Sequence, residues 1–176
     1  MSEPLIRKVS VATVWLDGCS GCHMSLLDMD ERLAELATAI DIVYGPLVDT
    51  KSFPTQVDLT LVEGSVSSEE DLSKIKKIRE HTRLLIAMGD CAVTGNVPSM
   101  RNPFGTETVL QHIYLRHAPS SIVPSLLPRV LPVHQVVEVD AFLPGCPPPA
   151  DALYFALTEL LAGRLPDMSG YTRFGK

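Results

Sequence analysis

Short apolar runs rich in β-branched residues recur along the chain, each handing over to a segment whose apolar residues come at helical spacing. Few folds accommodate that alternation. Val9 to Leu16 is nearly continuous in apolar character, as a strand buried on both faces of a parallel sheet is. Leu26, Met29, Leu33 and Leu36 follow at helical spacing, and Ile40 to Tyr44 is a weaker second strand closed by Gly45-Pro46. The polar stretch Asp49 to Gln56 reads as a loop, and Val57 to Glu63 as a third strand stopped by Gly64. Overlapping capping boxes, Ser67 with Glu70 or Ser68 with Asp71, then start a helix carrying Leu72, Ile75 and Ile78. Arg83 to Met88 has the form of a central strand, Val136 to Phe142 is the last strand candidate, and a helix runs from about Ala150 to Ala162 with Gly163 beyond it. Such βαβ units, joined by right-handed crossovers, give an α/β fold: a doubly wound parallel sheet with helices on both faces.

A chain of 176 residues reads as a single domain, 1–176, able to bury a core without disulfide staples. The net charge of -6, with no basic block anywhere, argues against nucleic acid. No segment has transmembrane length, and Met1 to Lys8 shows neither a signal-type apolar region nor twin arginines, so the expected location is the cytoplasm. Reducing conditions there direct four cysteines to metal or redox chemistry. Ten of the fourteen prolines fall in 97–149, a region expected to be largely ordered loop around one helix, Glu107 to Arg116, and a candidate partner-facing surface.

Cys19 and Cys22 follow the first strand as a CxxC turn, Cys91 follows the fourth strand, and Cys146 follows the last. All four therefore lie beyond the carboxyl ends of the strands, where open α/β sheets bind ligands. A dithiol oxidoreductase needs only Cys19 and Cys22 and leaves the other two unexplained. A zinc site usually staples a small unit through two paired CxxC elements. A 4Fe-4S cluster accepts a pair plus distant singles, so the order is cluster, then dithiol, then zinc. Gly18, Gly21, Gly89 and Gly145 beside the ligands would let backbone approach a bulky cluster, although glycine also ends strands everywhere.

Cys19-Ser20-Gly21-Cys22, Val62-Glu63-Gly64, Gly89-Asp90-Cys91-Ala92-Val93-Thr94-Gly95-Asn96-Val97-Pro98 and Pro144-Gly145-Cys146-Pro147-Pro148 together resemble the small subunit of NiFe hydrogenases. The match covers nearly the whole chain, in family order. It implies a flavodoxin-like fold and one proximal 4Fe-4S cluster on Cys19, Cys22, Cys91 and Cys146. It also implies a large-subunit partner holding the NiFe centre, so that this chain carries electrons and no catalytic residue. Respiratory relatives carry a twin-arginine leader and a cluster-bearing C-terminal domain. Their absence from this sequence implies the short small subunit of cytoplasmic, bidirectional NAD(P)-linked hydrogenases, which work with flavin and iron-sulfur NAD(P)H-oxidising (diaphorase) subunits. The related subunit of NADH:quinone oxidoreductase has adjacent cysteines, whereas Gly21 separates this pair from any doubling. No spare cysteine suggests an oxygen-tolerant cluster. Gly18 stands where many family members have Glu, with Asp17 one earlier, so no proton-path role carries over to that position.

Other residues bear weaker signals. Glu63 is expected to relay protons, to contact the large subunit, or simply to salt a loop; His23 to hydrogen-bond the cluster; Thr94 and Asn96 to donate near it, or to act as ordinary loop residues. Trp15 is expected in the core. The fold also raises FMN at the same edge, but no distinct phosphate-binding turn is visible.

Overall fold

The computed structural model describes residues 7–115 and 123–171. The signal-free reading of the first residues and Arg116, the expected end of a helix, fall largely or wholly outside that range. In chain order the elements are β1 (Val9–Trp15), α1 (Gly21–Leu27), α2 (Glu31–Leu36), β2 (Ile40–Tyr44), β3 (Val57–Glu63), β4 (Val66–Ser68), α3 (Glu69–Glu80), β5 (Thr82–Met88), α4 (Asp90–Thr94), α5 (Thr106–Tyr114), β6 (Leu126–Leu131), β7 (Ala141–Leu143) and α6 (Ala150–Leu161).

Five strands form one parallel sheet in the order β2-β1-β3-β5-β7, the doubly wound, flavodoxin-like arrangement. Their carboxyl ends are level: Trp15 pairs with Glu63, Glu63 with Met88, and Met88 with Leu143. Period-2 alternation sorts the side chains between two cores. Leu59 and Leu61 join Met88, Leu143, Leu153 and Leu157 on the face covered by α1, α2 and α6. Val14, Val62, Leu85 and Ala87 join Ile75, Ile78 and Ala92 on the opposite face, under α3 and α4. Each fully buried Leu or Ile here contributes roughly 1.5–3 kcal/mol.

Several expectations need correction. The expected first helix is two, α1 and α2, broken by a turn in which Asp30 takes φ 50°. Met29, inside that break, is still 1% exposed, so apolar spacing alone does not reveal the interruption. Of the last strand candidate, Val136 to Phe142, only Ala141 and Phe142 pair, in a strand that runs on to Leu143; before it, Asp140 accepts the Leu85 N–H on its carboxylate (2.7 Å). Region 97–149 holds more regular structure than its prolines suggest: α5, β6, β7 and two 3-10 turns. An unanticipated antiparallel pair, β4 with β6, closes beside α3 and is held by Arg101, which donates to the carbonyls of Ser67 (2.9 Å) and Leu127 (3.0 Å). No described helix is long and apolar enough to cross a membrane.

Candidate metal centre

The cysteines are carried by three loops that leave level strand ends. Cys19 lies in the turn after β1 and is exposed; Cys22 sits in the first turn of α1 and is 7% exposed. Cys91 opens α4 directly after β5 and is half-buried, while Cys146 follows β7 and is exposed. The Cys22 and Cys91 thiols lie within electrostatic reach of the others. The Cys22 thiol is pushed well up by burial first, then by Glu63, Cys91, Cys19 and Cys146. Cys91 is pushed up to about 11, again by burial first and then by Cys146, Cys19 and Glu63. Among the described residues, no three His, Cys, Asp or Glu side chains group tightly enough to hold a single metal ion.

The backbone between these loops is shaped around sulfur. Gly89, at φ 83°, passes so close to Cys22 that a Cβ built on it would stand 2.1 Å from Sγ. A Cβ on Gly21 would stand 3.3 Å from Cys19 Sγ. The Cys146 loop is tied to α4 by a reciprocal pair: Asp90 N–H donates to the Gly145 carbonyl (2.8 Å), and Gly145 N–H donates to Asp90 Oδ1 (2.7 Å). The Ser25 hydroxyl binds the Pro148 carbonyl, joining α1 to the same loop, and the Cys146–Pro147 bond is cis. Asn96 Nδ2 donates to Cys146 Sγ (3.4 Å), and the Val97 N–H holds the Cys91 thiol down against the effect of burial.

Among the residues singled out from sequence, the four cysteines, Gly21, Glu63 and Asn96 come together. Thr94 does not act on sulfur: its hydroxyl donates to the Asp90 carbonyl inside α4 (2.9 Å). Trp15 is not in the core. It is 44% exposed at the end of β1, with Nε1 donating to the Gly18 carbonyl (3.0 Å). Glu63, at 2% exposure, presents no surface to a partner chain. His23 spends Nδ1 on the Glu63 carboxylate, leaving its Nε2 as the atom that would have to serve a cluster. Sequence reasoning gave Asp90 and Ser25 no role: their partners, the Gly145 N–H and the Pro148 carbonyl, lie far along the chain.

Four thiols on three loops, with glycines where a Cβ would collide with sulfur, suit a polynuclear iron-sulfur group, whose ligands stand apart around metal corners. A mononuclear zinc site draws its thiolates to about 2.3 Å from a single ion and fits this spacing less well.

The chain resembles known hydrogenase subunits. The family model described as NADH ubiquinone oxidoreductase, 20 Kd subunit, matches residues 19–160. The chain is 40% identical over 172 residues to the delta subunit of the NAD-reducing hydrogenase HoxS of Cupriavidus necator, covering 92% of this chain and 82% of that protein. It is 37% identical to one subunit of the F420-non-reducing hydrogenase vhu of Methanocaldococcus jannaschii, covering 91% of this chain but only 58% of that one. Among solved structures, a chain of an NAD+-reducing NiFe-hydrogenase in the H2-reduced state superposes with a TM-score of 0.90 at 38% identity, covering 96% of this chain and 99% of that one. The NiFeSe-hydrogenase of Dm. baculatum shares the fold at a TM-score of 0.60 and 19% identity, over 89% of this chain and 62% of that one.

Proposed function

The chain belongs to the NADH ubiquinone oxidoreductase 20 Kd subunit family, as a small subunit of the NAD-reducing NiFe-hydrogenase type, and from that premise we propose that it relays electrons for such a hydrogenase on one 4Fe-4S cluster. The observation that carries this reading is that Cys19, Cys22, Cys91 and Cys146 all leave three level strand ends at one edge of the sheet, with Cys22 and Cys91 within electrostatic reach of the others. When bound, the cluster supplies a one-electron store between the NiFe centre of a large subunit and the flavin of an NAD(H)-reactive module.

The chain's own residues do the rest. Cys22 and Cys91 supply inner ligands and exclude water, whereas Cys19 and Cys146 supply outer ones at the surface. Gly89 and Gly21 keep the space beside sulfur free of Cβ atoms. The Asn96 amide donates to Cys146 Sγ; hydrogen bonds to ligand sulfur raise a cluster's potential by stabilising its reduced, more negative form. On this reading the hydrogen chemistry belongs to the large subunit, and this chain's cysteines only hold the electron carrier. A dithiol at Cys19 and Cys22 alone would leave Cys91 and Cys146, which follow neighbouring strand ends at the same sheet edge, without a role.

Anaerobic purification with iron, acid-labile sulfide and zinc analysis tests the proposal: about four irons per chain is the expected result. Cys146→Ser should sharply reduce that iron. A colourless zinc protein, or full iron in the Cys146→Ser variant, would overturn it.

A further inference from the structure

Helix α1 begins without a cap of its own. Ser20, at the N-cap position, has left-handed backbone (φ 64°), and its side chain caps nothing. The first N–H groups of a helix have no partner within it, and burial without one costs free energy. Here the partner comes from another strand, 40 residues further along the sequence. Glu63, the last residue of β3, accepts the His23 N–H on Oε2 (2.9 Å) and the Cys22 N–H on Oε1 (3.4 Å). The same Oε2 binds Nδ1 of the His23 ring.

Both residues of this pair are deeply buried, and Glu63 is locked from either side by the ladder, pairing with Trp15 of β1 and Met88 of β5. A carboxylate fixed in the sheet therefore grips the two residues whose backbone positions the one deeply buried thiol of the site. Gly89 also passes close to this thiol: a Cβ at that position would stand 2.1 Å from Cys22 Sγ.

We infer that Glu63 and His23 are positioning residues: the pair pins the first turn of α1 to the end of β3 and thereby sets the place of Cys22. Glu63 acts as a remote N-cap, and His23 holds the carboxylate in the rotamer that lets both oxygens face the helix. Its consequence for a cluster rests on the function proposed above, whereas the pinning itself is a property of the apo chain. The test is therefore made on the apo chain.

Thiol alkylation of the full chain, purified under reductant and mapped by mass spectrometry, compares Cys22 with exposed Cys19 in the wild type, Glu63→Gln and Glu63→Ala. Both variants remove the negative charge near Cys22, but only Gln keeps an acceptor oxygen in place. Cys22 of Glu63→Ala should react about tenfold faster than Cys22 of Glu63→Gln, the scale of losing a buried hydrogen bond. Equal rates in the two variants would show that Glu63 acts through charge alone and would overturn the positioning role. Amide hydrogen exchange on the wild type needs no variant to fold. The Cys22 and His23 N–H groups should be protected like those of the β3 ladder, and exchange at the rate of an exposed loop would equally overturn the inference. Failure of the wild type to bind iron would sink the proposed function and leave this result standing.

Discussion

At the scale of single residues, the site is held in a state its own thiols resist. The Cys91 thiol has an ordinary value of 9.0 and is pushed up to about 11, by burial before any charge. In the unfolded chain it ionises near its ordinary value; in the folded chain it stays protonated longer. Below pH 9 both states hold the proton and the residue does not affect stability; as pH climbs from 9 towards 11 the unfolded state gains by releasing it and the fold weakens. Cys22 is shifted in the same direction. The melting temperature of the apo chain should therefore fall across that window, and less steeply in Cys91→Ser, as thermal denaturation under reductant would show. A flat profile for the wild type would contradict the assigned burial. Cysteine spacing made the four thiols legible from sequence because strand ends can be read locally. The pairing of His23 with Glu63 was not legible: it depends on which strand lies beside β1, and the nearest signal for it is 40 residues away.

At the scale of elements, local chemistry and tertiary pairing divide the account. Of the two capping boxes offered by Ser67 to Asp71, the fold uses Ser68 with Asp71: Asp71 N–H donates to Ser68 Oγ (3.1 Å), and Ser68 N–H donates to Asp71 Oδ2 (3.0 Å). Three acids in the first turn and Lys77 and Arg79 in the last complement the helix dipole. Ser68→Ala should cost about 1 kcal/mol by urea denaturation, and Ser68→Asp much less. β2 and β3 were readable to the residue because apolar periodicity and the turn residues agreed there. The β4–β6 pair was not, since its strands are short, its register slips between Val66 and Ser68, and Pro128 sits inside β6 where an edge strand tolerates it. Trp15 misled for a related reason. Its run is a strand and Trp15 still pairs with Glu63, but at this sheet end its ring is 44% exposed and its Nε1 turns to the Gly18 carbonyl of the cysteine turn instead of a core.

At the scale of the whole molecule, the segment from Val97 to Leu115 exposes several large apolar side chains. Val97, Met100, Phe104, Ile113 and Leu115 are all exposed, and α5 buries none of its residues. Phe104, Val109 and Ile113 line an apolar groove of about 410 Å³. Exposed apolar patches of this kind mark association surfaces, in keeping with a subunit that does its work inside a complex. Phe104→Ser combined with Ile113→Ser should change the unfolding free energy of the chain by no more than about 0.5 kcal/mol, yet reduce its copurification with a nickel-containing large subunit. Unchanged copurification would place that contact elsewhere on the molecule.

The strand that brings in Cys146 is three residues long, lies at the edge of the sheet, and is the last strand among the described residues. During synthesis the Cys19 and Cys22 pair leaves the ribosome long before it, on the order of ten seconds earlier at roughly 5–20 residues per second. Through that interval the nascent chain carries thiols whose partners do not yet exist, and parallel pairing across distant segments is slow to form. Under the function proposed above, a cluster that needs Cys146 is inserted only after the loop beyond β7 has been made, with the early pair kept reduced until then.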